Sequence, residues 1–219
     1  MTGFDLKSAI IEAFQETALM SGVSLLAAVV VGGVIGLLLY ATSSRLFVRN
    51  RIVNQTAGII INVVRSLPFL ILLVLLIPLS KAVAGTTIGP TAVVIPLSIA
   101  AIAFFARLAD ASFSDVNQGV IEAAISTGAG KLSVILRILF PEALPSLVRN
   151  ITVTAVSIIG FSAMAGTVGG GGIGDLAIRY GYQRYQTDVM LICVVLLIIL
   201  VQGVQLIGDG IANKLDKKR

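Results

Sequence analysis

From Thr17 to Ser44 the chain carries no charged side chain, a stretch longer than the roughly 20 apolar residues that cross a bilayer as a helix. A water-soluble domain would need a charged shell to cover such a segment, and that shell is missing. Only 12% of the 219 residues are Asp, Glu, Lys or Arg, while 57% are apolar; soluble domains carry about a quarter charged residues. In hydrocarbon every backbone N–H and C=O must be paired internally, and a helix achieves this within one segment. The expected fold class is therefore an all-α membrane protein with five transmembrane helices, over about 17–42, 52–80, 91–109, 151–168 and 189–208.

The spans differ in character. Gly32 and Gly36 in span 1 form a small-xxx-small pair that suits close approach of another helix, though glycine is common in membrane helices generally. Span 2 is interrupted once, by Arg65-Ser66-Leu67-Pro68, and the turn Gly85-Thr86-Thr87-Ile88-Gly89-Pro90 leads into span 3 as a tight hairpin. Residues 110–149 form the one long non-membrane segment. Span 4 ends in Gly169-Gly170-Gly171-Gly172, read as a hinge, and a polar loop from Gly174 to Thr187 precedes span 5. Tyr180, Tyr182 and Tyr185 in that loop suit an interfacial aromatic belt.

Lys and Arg near span ends are retained in the cytoplasm. Arg45, Arg49, Arg51, Arg107, Lys131, Arg137, Arg149, Lys214, Lys217, Lys218 and Arg219 fall on one side, against Lys7, Lys81, Arg179 and Arg184 on the other. This asymmetry predicts an N-terminus outside and a C-terminus in the cytoplasm, with 209–219 as a basic cytoplasmic tail. The net charge of +5 is then a topology signal and an attraction to anionic membrane lipid, with no call for nucleic acid. The acidic start (Asp5, Glu12, Glu16) is not the basic opening of a cleaved signal peptide.

The chain has no His and one cysteine, Cys193, in an apolar run. These counts remove imidazole-metal sites, Ser-His and Cys-His catalysis, and disulfides. No catalytic residues and no metal site are expected.

The segment after span 3 carries the most specific signal. Gly128 and Gly130 are expected to take positive-φ conformations that end one short helix. Leu132, Ile135, Leu136 and Leu139 then recur at helical spacing, with Pro141 expected to stop the second helix. Gly128-Ala129-Gly130-Lys131 is not a P-loop, because Ile125 and Leu132 stand where that motif needs Gly and Ser or Thr. An apolar stripe on a chain with no soluble domain wants a partner groove.

Glu122-Ala123-Ala124, then Gly128, Ile138 and Pro141 resemble the cytoplasmic EAA signature of the membrane-spanning subunits of type I ABC importers. Phe140 stands where the family pattern has Leu. The resemblance implies that Glu122, Ala123, Ala124, Gly128, Ile138 and Pro141 form a coupling hairpin docking in a cleft of a separate ATPase subunit, which would hold ATP and Mg. It implies one transmembrane domain over 14–205, in the bacterial inner membrane, with 110–149 as its coupling segment.

Further segments, Glu16-Thr17, Arg65-Ser66-Leu67-Pro68-Phe69, Pro141-Glu142-Ala143-Leu144-Pro145 and Phe161-Ser162-Ala163-Met164, resemble permease subunits of methionine ABC importers. That likeness implies a homodimer, two ATPase subunits, an extracytoplasmic methionine-binding (lipo)protein, and a pathway for methionine of either hand. Another amino acid as substrate remains an alternative. A stand-alone channel or secondary carrier would need intramembrane acidic residues for ion coupling, and the interiors of spans 1, 2, 4 and 5 have none.

Two candidate sites keep two readings each. Asn150, Thr154, Ser157, Phe161, Met164 and Val168 share one stripe of span 4. Thr154, Ser157, Phe161 and Met164 line a substrate path on one reading, and the stripe's polar groups bond between helices on the other. Arg65 is an intramembrane charge, hence a functional candidate; alternatively it satisfies the carbonyl that Pro68 frees. Arg65, Pro68, Gly169 and Gly172 are expected to be structural.

Overall fold

The computed structural model describes residues 6–44 and 46–216. Asp5, used in reading the acidic start, and Arg45, Lys217, Lys218 and Arg219, used in the charge count and the basic tail, lie outside the described residues. Among those described there are nine helices and no strand: α1 Leu6–Ser43, α2 Arg51–Ser66, α3 Phe69–Leu75, α4 Ile77–Ala84, α5 Pro90–Ser114, α6 Gln118–Ser126, α7 Lys131–Val168, α8 Gly172–Leu176 and α9 Thr187–Leu215. Helices α1, α5, α7 and α9 are long and apolar enough to cross a bilayer. α5 is the most buried of the four and α9 the least. α1, α2 and α7 pack around α5, and α9 lies against the outer side of α7.

Glycine sets the tightest packing. A Cβ on Gly32 would stand 2.9 Å from the Ile102 carbonyl, and one on Gly36 would stand 2.6 Å from the Ala109 Cβ. The small-xxx-small pair of span 1 therefore lets α1 lie directly on α5. At the other face, a Cβ on Gly208 would run into the Thr152 hydroxyl, so α9 meets α7 backbone to side chain.

Span 2 departs from expectation. Residues 52–80 do not form one span: α2 ends at Ser66 and α3 leaves at 104° to it. Pro68 supplies no N–H and disfavours helical backbone at the residue before it, and Leu67 is extended, with ψ 132°. Only as a bent pair do α2 and α3 make a fifth candidate span.

The outer boundaries of three spans also move. Helix α1 begins at Leu6 and takes Glu12 and Glu16 into it, α5 continues to Ser114, and α9 runs through residues 209–215 of the expected tail. The short helix expected to stop at Pro141 is instead the start of α7, which continues into span 4. A π-helical turn over Ile135–Leu139, with Phe140 N–H bonded to the Ile135 carbonyl, precedes the proline. The wider turn makes room for a ring that would clash with the carbonyl one regular turn earlier. α7 is thereby one rod of 38 residues, about 57 Å at 1.5 Å per residue, well beyond a hydrocarbon core of roughly 30 Å.

The polar loop expected from Gly174 to Thr187 is largely helix. α8 and the π-helical turn Ala177–Tyr182 that extends it fold back beside α7 and α1, with Gly172 to Ala177 buried. A Cβ on Gly174 would meet the Ala163 backbone, and one on Gly166 would meet that of Asp175; two glycines facing each other permit this reversal.

Candidate functional site

One end of the bundle is built around α6. The Asn117 side chain accepts the Gly119 N–H at 2.9 Å and caps its start. At its end Gly128 is left-handed, with φ +87°; Gly128 N–H bonds to the Ile125 carbonyl and Ala129 N–H to that of Ala124. This pair of bonds is the Schellman ending. Gly130 is extended rather than positive in φ, at −66°, because it starts α7 rather than ending α6.

α6 has two unlike faces. Ile121 is wholly buried, and Ala124 and Ile125 pack against the core behind it, while Glu122 and Ala123 are exposed. Ile138 lies half-buried in the π-helical turn of α7, and Pro141 is exposed one step further on. The apolar stripe splits: Leu132 and Leu136 point outward, Leu139 is buried and Ile135 packs partly inward.

Several residues beneath α6 escaped the sequence reading. Lys131 Nζ donates to the Phe47 carbonyl at 2.8 Å, tying the start of α7 to the loop after α1. Tyr40 packs against Phe47 and Phe113, and Phe113 against Phe140, with ring centroids 5.8, 6.1 and 5.7 Å apart. This aromatic chain joins the ends of α1, α5 and the first turns of α7. Its members come from three helices and the loop after α1, so no local pattern marks them. Arg107 and Asp110 pair at 3.2 Å on α5, as their spacing predicts.

Midway along α7 the mixed stripe changes role. Asn150 Nδ2 donates to Ser112 Oγ at 2.7 Å and to the Leu108 carbonyl at 3.3 Å, while fully buried Thr154 donates to the Asn150 carbonyl. Asn150 thus binds α7 to α5, while Thr154 bonds within α7. Further along, Ser157 donates to the Val153 carbonyl, Phe161 stacks on Phe69 at 5.0 Å, and Met164 and Val168 are exposed. Next to that stack a cavity of 210 Å³ opens at the α2–α3 break. Arg65 lies on it, its guanidinium 5.9 Å from the Phe104 ring centre. Arg65 does not satisfy the carbonyls at the break: the Ser66 hydroxyl bonds to that of Val63 and the Leu67 N–H to that of Val64.

At the opposite end the glycine run is a clamp rather than a free hinge. Gly169, Gly171 and Gly172 have φ of +79°, +77° and +80°, and the Gly169 carbonyl accepts the Gly89 N–H at 2.9 Å. Asp175 and Arg179 pair beside this loop, lining a cavity of 370 Å³ with Thr167 and Gln183. Among the described residues no group of three or more Cys, Asp or Glu stands close enough to hold a metal ion.

The architecture is a bundle of long apolar helices with a capped, half-exposed short helix at one end. Residues 29–219 match the family model described as "Binding-protein-dependent transport system inner membrane component", and the chain belongs to that family. It is a multi-pass inner-membrane permease component of an ABC transporter.

The relatives are more particular. The probable D-methionine transport system permease protein MetI of Vibrio cholerae is 46% identical, over 84% of this chain and 82% of that protein. The methionine import system permease protein MetP of Bacillus subtilis is 43% identical, over 83% and 82%. A chain of the inward-facing MetNI methionine ABC transporter superposes with a TM-score of 0.93 at 36% identity, covering 99% of this chain and all of that one. A chain of an amino acid ABC transporter, at 20% identity and TM-score 0.78, shares the fold.

Proposed function

We propose that the chain is the membrane-spanning subunit of a methionine importer, working as a homodimer with two ATPase subunits that hold ATP and Mg. An isologous pair about a two-fold axis would enclose the path that one bundle leaves open along Ser157, Phe161 and Met164. The ATPase grips α6 through Glu122 and Ala123, with the Gly128 ending fixing the angle of that helix. In this reading α6 and the C-terminus lie in the cytoplasm and the N-terminus outside, where a methionine-binding (lipo)protein meets the glycine clamp.

The observation that carries the reading is the whole-chain match to the MetNI permease chain, 36% identical over 99% of this chain. The structure adds a physical reason for coupling. α7 is a continuous rod from Lys131, beside α6, to Val168 at the far end, so a push on α6 is delivered along the bundle. Catalysis of ATP hydrolysis belongs to the partner, since this chain lacks a P-loop.

The experiment is uptake of labelled methionine by proteoliposomes holding this chain, its ATPase and its binding protein. ATP-dependent accumulation is expected, with hydrolysis stimulated by methionine. Stimulation by a different amino acid alone would overturn the substrate, and accumulation by the isolated chain without ATP would overturn the class.

A further inference from the structure

We infer that the cavity at the α2–α3 break is a binding site for the transported amino acid, with Arg65 receiving its carboxylate. This rests on the amino-acid import reading above and names the residues that would recognise the substrate inside the membrane.

Arg65 stands at the end of α2, in a stretch that is otherwise uncharged from Ile52 to Ser80. Among the described residues it makes no hydrogen bond and no ion pair; its neighbour is the face of Phe104. Arg65 is exposed and lines the cavity; because the stretch around it is read as membrane-spanning, a guanidinium there without an anion is costly, and such a group is retained where an anion comes to it. Its flat fork matches a carboxylate in two parallel hydrogen bonds. A ring at its back holds the fork in place by a cation–π contact and leaves its N–H edge open to a ligand.

The ammonium of the same ligand finds acceptors at the break. Ser66 Oγ and Leu67 N–H take up the carbonyls of Val63 and Val64. The carbonyls of Arg65 and Ser66 receive no backbone hydrogen bond among the described residues, and they form the negative end of the α2 dipole. A helix broken within an expected span thus offers a cation and a set of orphan acceptors side by side, which is the charge pattern of a zwitterion reversed.

The rest of the cavity is apolar. Phe69, Leu72, Ala100 and Phe161 line it, and its 210 Å³ is below the roughly 300 Å³ at which pockets for drug-sized ligands begin. It suits one small amino acid. The ring faces of Phe69, Phe104 and Phe161 favour a flexible thioether, because sulfur is attracted to aromatic edges. The wall is also movable: Phe161 rides on α7 and Phe69 on α3, stacked at 5.0 Å and 16°. A shift of the α7 rod from its α6 end separates that stack and reshapes the site.

The test compares Arg65→Gln, Arg65→Lys and Phe161→Ala in the complex with its ATPase subunits. Equilibrium dialysis with labelled methionine and methionine amide, without the binding protein, reads carboxylate recognition directly; uptake in proteoliposomes with the binding protein reads transport. Wild type is expected to prefer methionine over its amide, and R65Q to lose that preference and about ten- to a hundred-fold in affinity, the worth of one charge-assisted contact. R65K keeps the charge and recovers part of the loss, while F161A weakens both ligands equally. Co-purification with the ATPase is retained in every variant. Wild-type preference and affinity in R65Q would overturn the site, as would loss of assembly in R65Q that R65K does not restore. If wild type transports another amino acid instead, the methionine reading fails while the comparison of that amino acid with its amide still decides Arg65.

Discussion

The carboxylate of Glu16 accepts the backbone N–H of Gly172 at 2.6 Å, across 156 residues of chain. Beside it the Thr17 hydroxyl oxygen accepts the Ile173 N–H at 2.9 Å. Two consecutive side chains of α1 thus satisfy the first free N–H groups of α8, as a cap supplied from another helix. The glycine loop is fastened to α1 by this bond pair, and the fastening sets the first prediction.

Gly172→Ala destabilises the protein. At φ +80° an L side chain is strained, and its Cβ would stand 2.7 Å from Thr17 Oγ1 and 2.9 Å from Met20 Cε. Backbone strain of this kind costs about 1–3 kcal/mol. A thermal-unfolding midpoint in detergent that matches wild type would refute the clamp.

Gly36 and Gly22 lie on the same helix and should respond in opposite directions. A Cβ at Gly36 meets Ala109 Cβ at 2.6 Å and the Ala106 carbonyl at 2.7 Å, whereas one at Gly22 meets nothing within 4 Å. Overpacking makes Gly36→Ala costly by about 1–3 kcal/mol. Gly22→Ala gains about 0.5–1 kcal/mol, because glycine in a helix interior loses more backbone freedom on folding. Equal shifts in melting temperature for the two variants would contradict the α1–α5 contact.

Phe140→Leu removes the ring that packs against Phe113 at 5.7 Å. The loss is about 0.5–1.5 kcal/mol beyond area burial, and it falls where α5 meets the start of α7. We expect a modest drop in stability together with more ATP hydrolysed per methionine imported. An unchanged ratio would mean that the aromatic chain plays no part in coupling.

Cysteines on the two faces of α6 should behave differently. Ile121 is wholly buried and Ala123 exposed, and the one native cysteine, Cys193, is buried. In inside-out vesicles an impermeant maleimide should label Ala123→Cys quickly and Ile121→Cys slowly, and bound ATPase should protect Ala123→Cys. Labelling of Ala123→Cys only in right-side-out vesicles would reverse the proposed topology.

Much of the fold was legible in local pattern. Long uncharged runs mark α1, α5, α7 and α9, the spacing around Glu122 marks α6, and Gly32 and Gly36 mark a close helix contact. Two departures have different causes. Local pattern makes Pro141 a helix stop, but a wider turn just before it lets α7 continue. Polarity makes the residues after Gly174 a loop, but capping by Glu16 and Thr17 and a glycine-to-glycine approach make them a buried helix. In the second case partners remote in sequence outweighed the local preference.

The amino-acid sequence on its own determined the solvent, because a chain so poor in charge has no favourable surface in water, and with it the helical class and the positions of most spans. Only the tertiary structure decided what the isolated polar groups do. Asn150 turns inward to bind α7 to α5, Thr154 bonds back to its own helix, Glu16 reaches α8, and Arg65 is left facing a cavity. These outcomes depend on which remote donor or acceptor lies within about 3 Å, a distance that helix packing sets and that no spacing along the chain encodes.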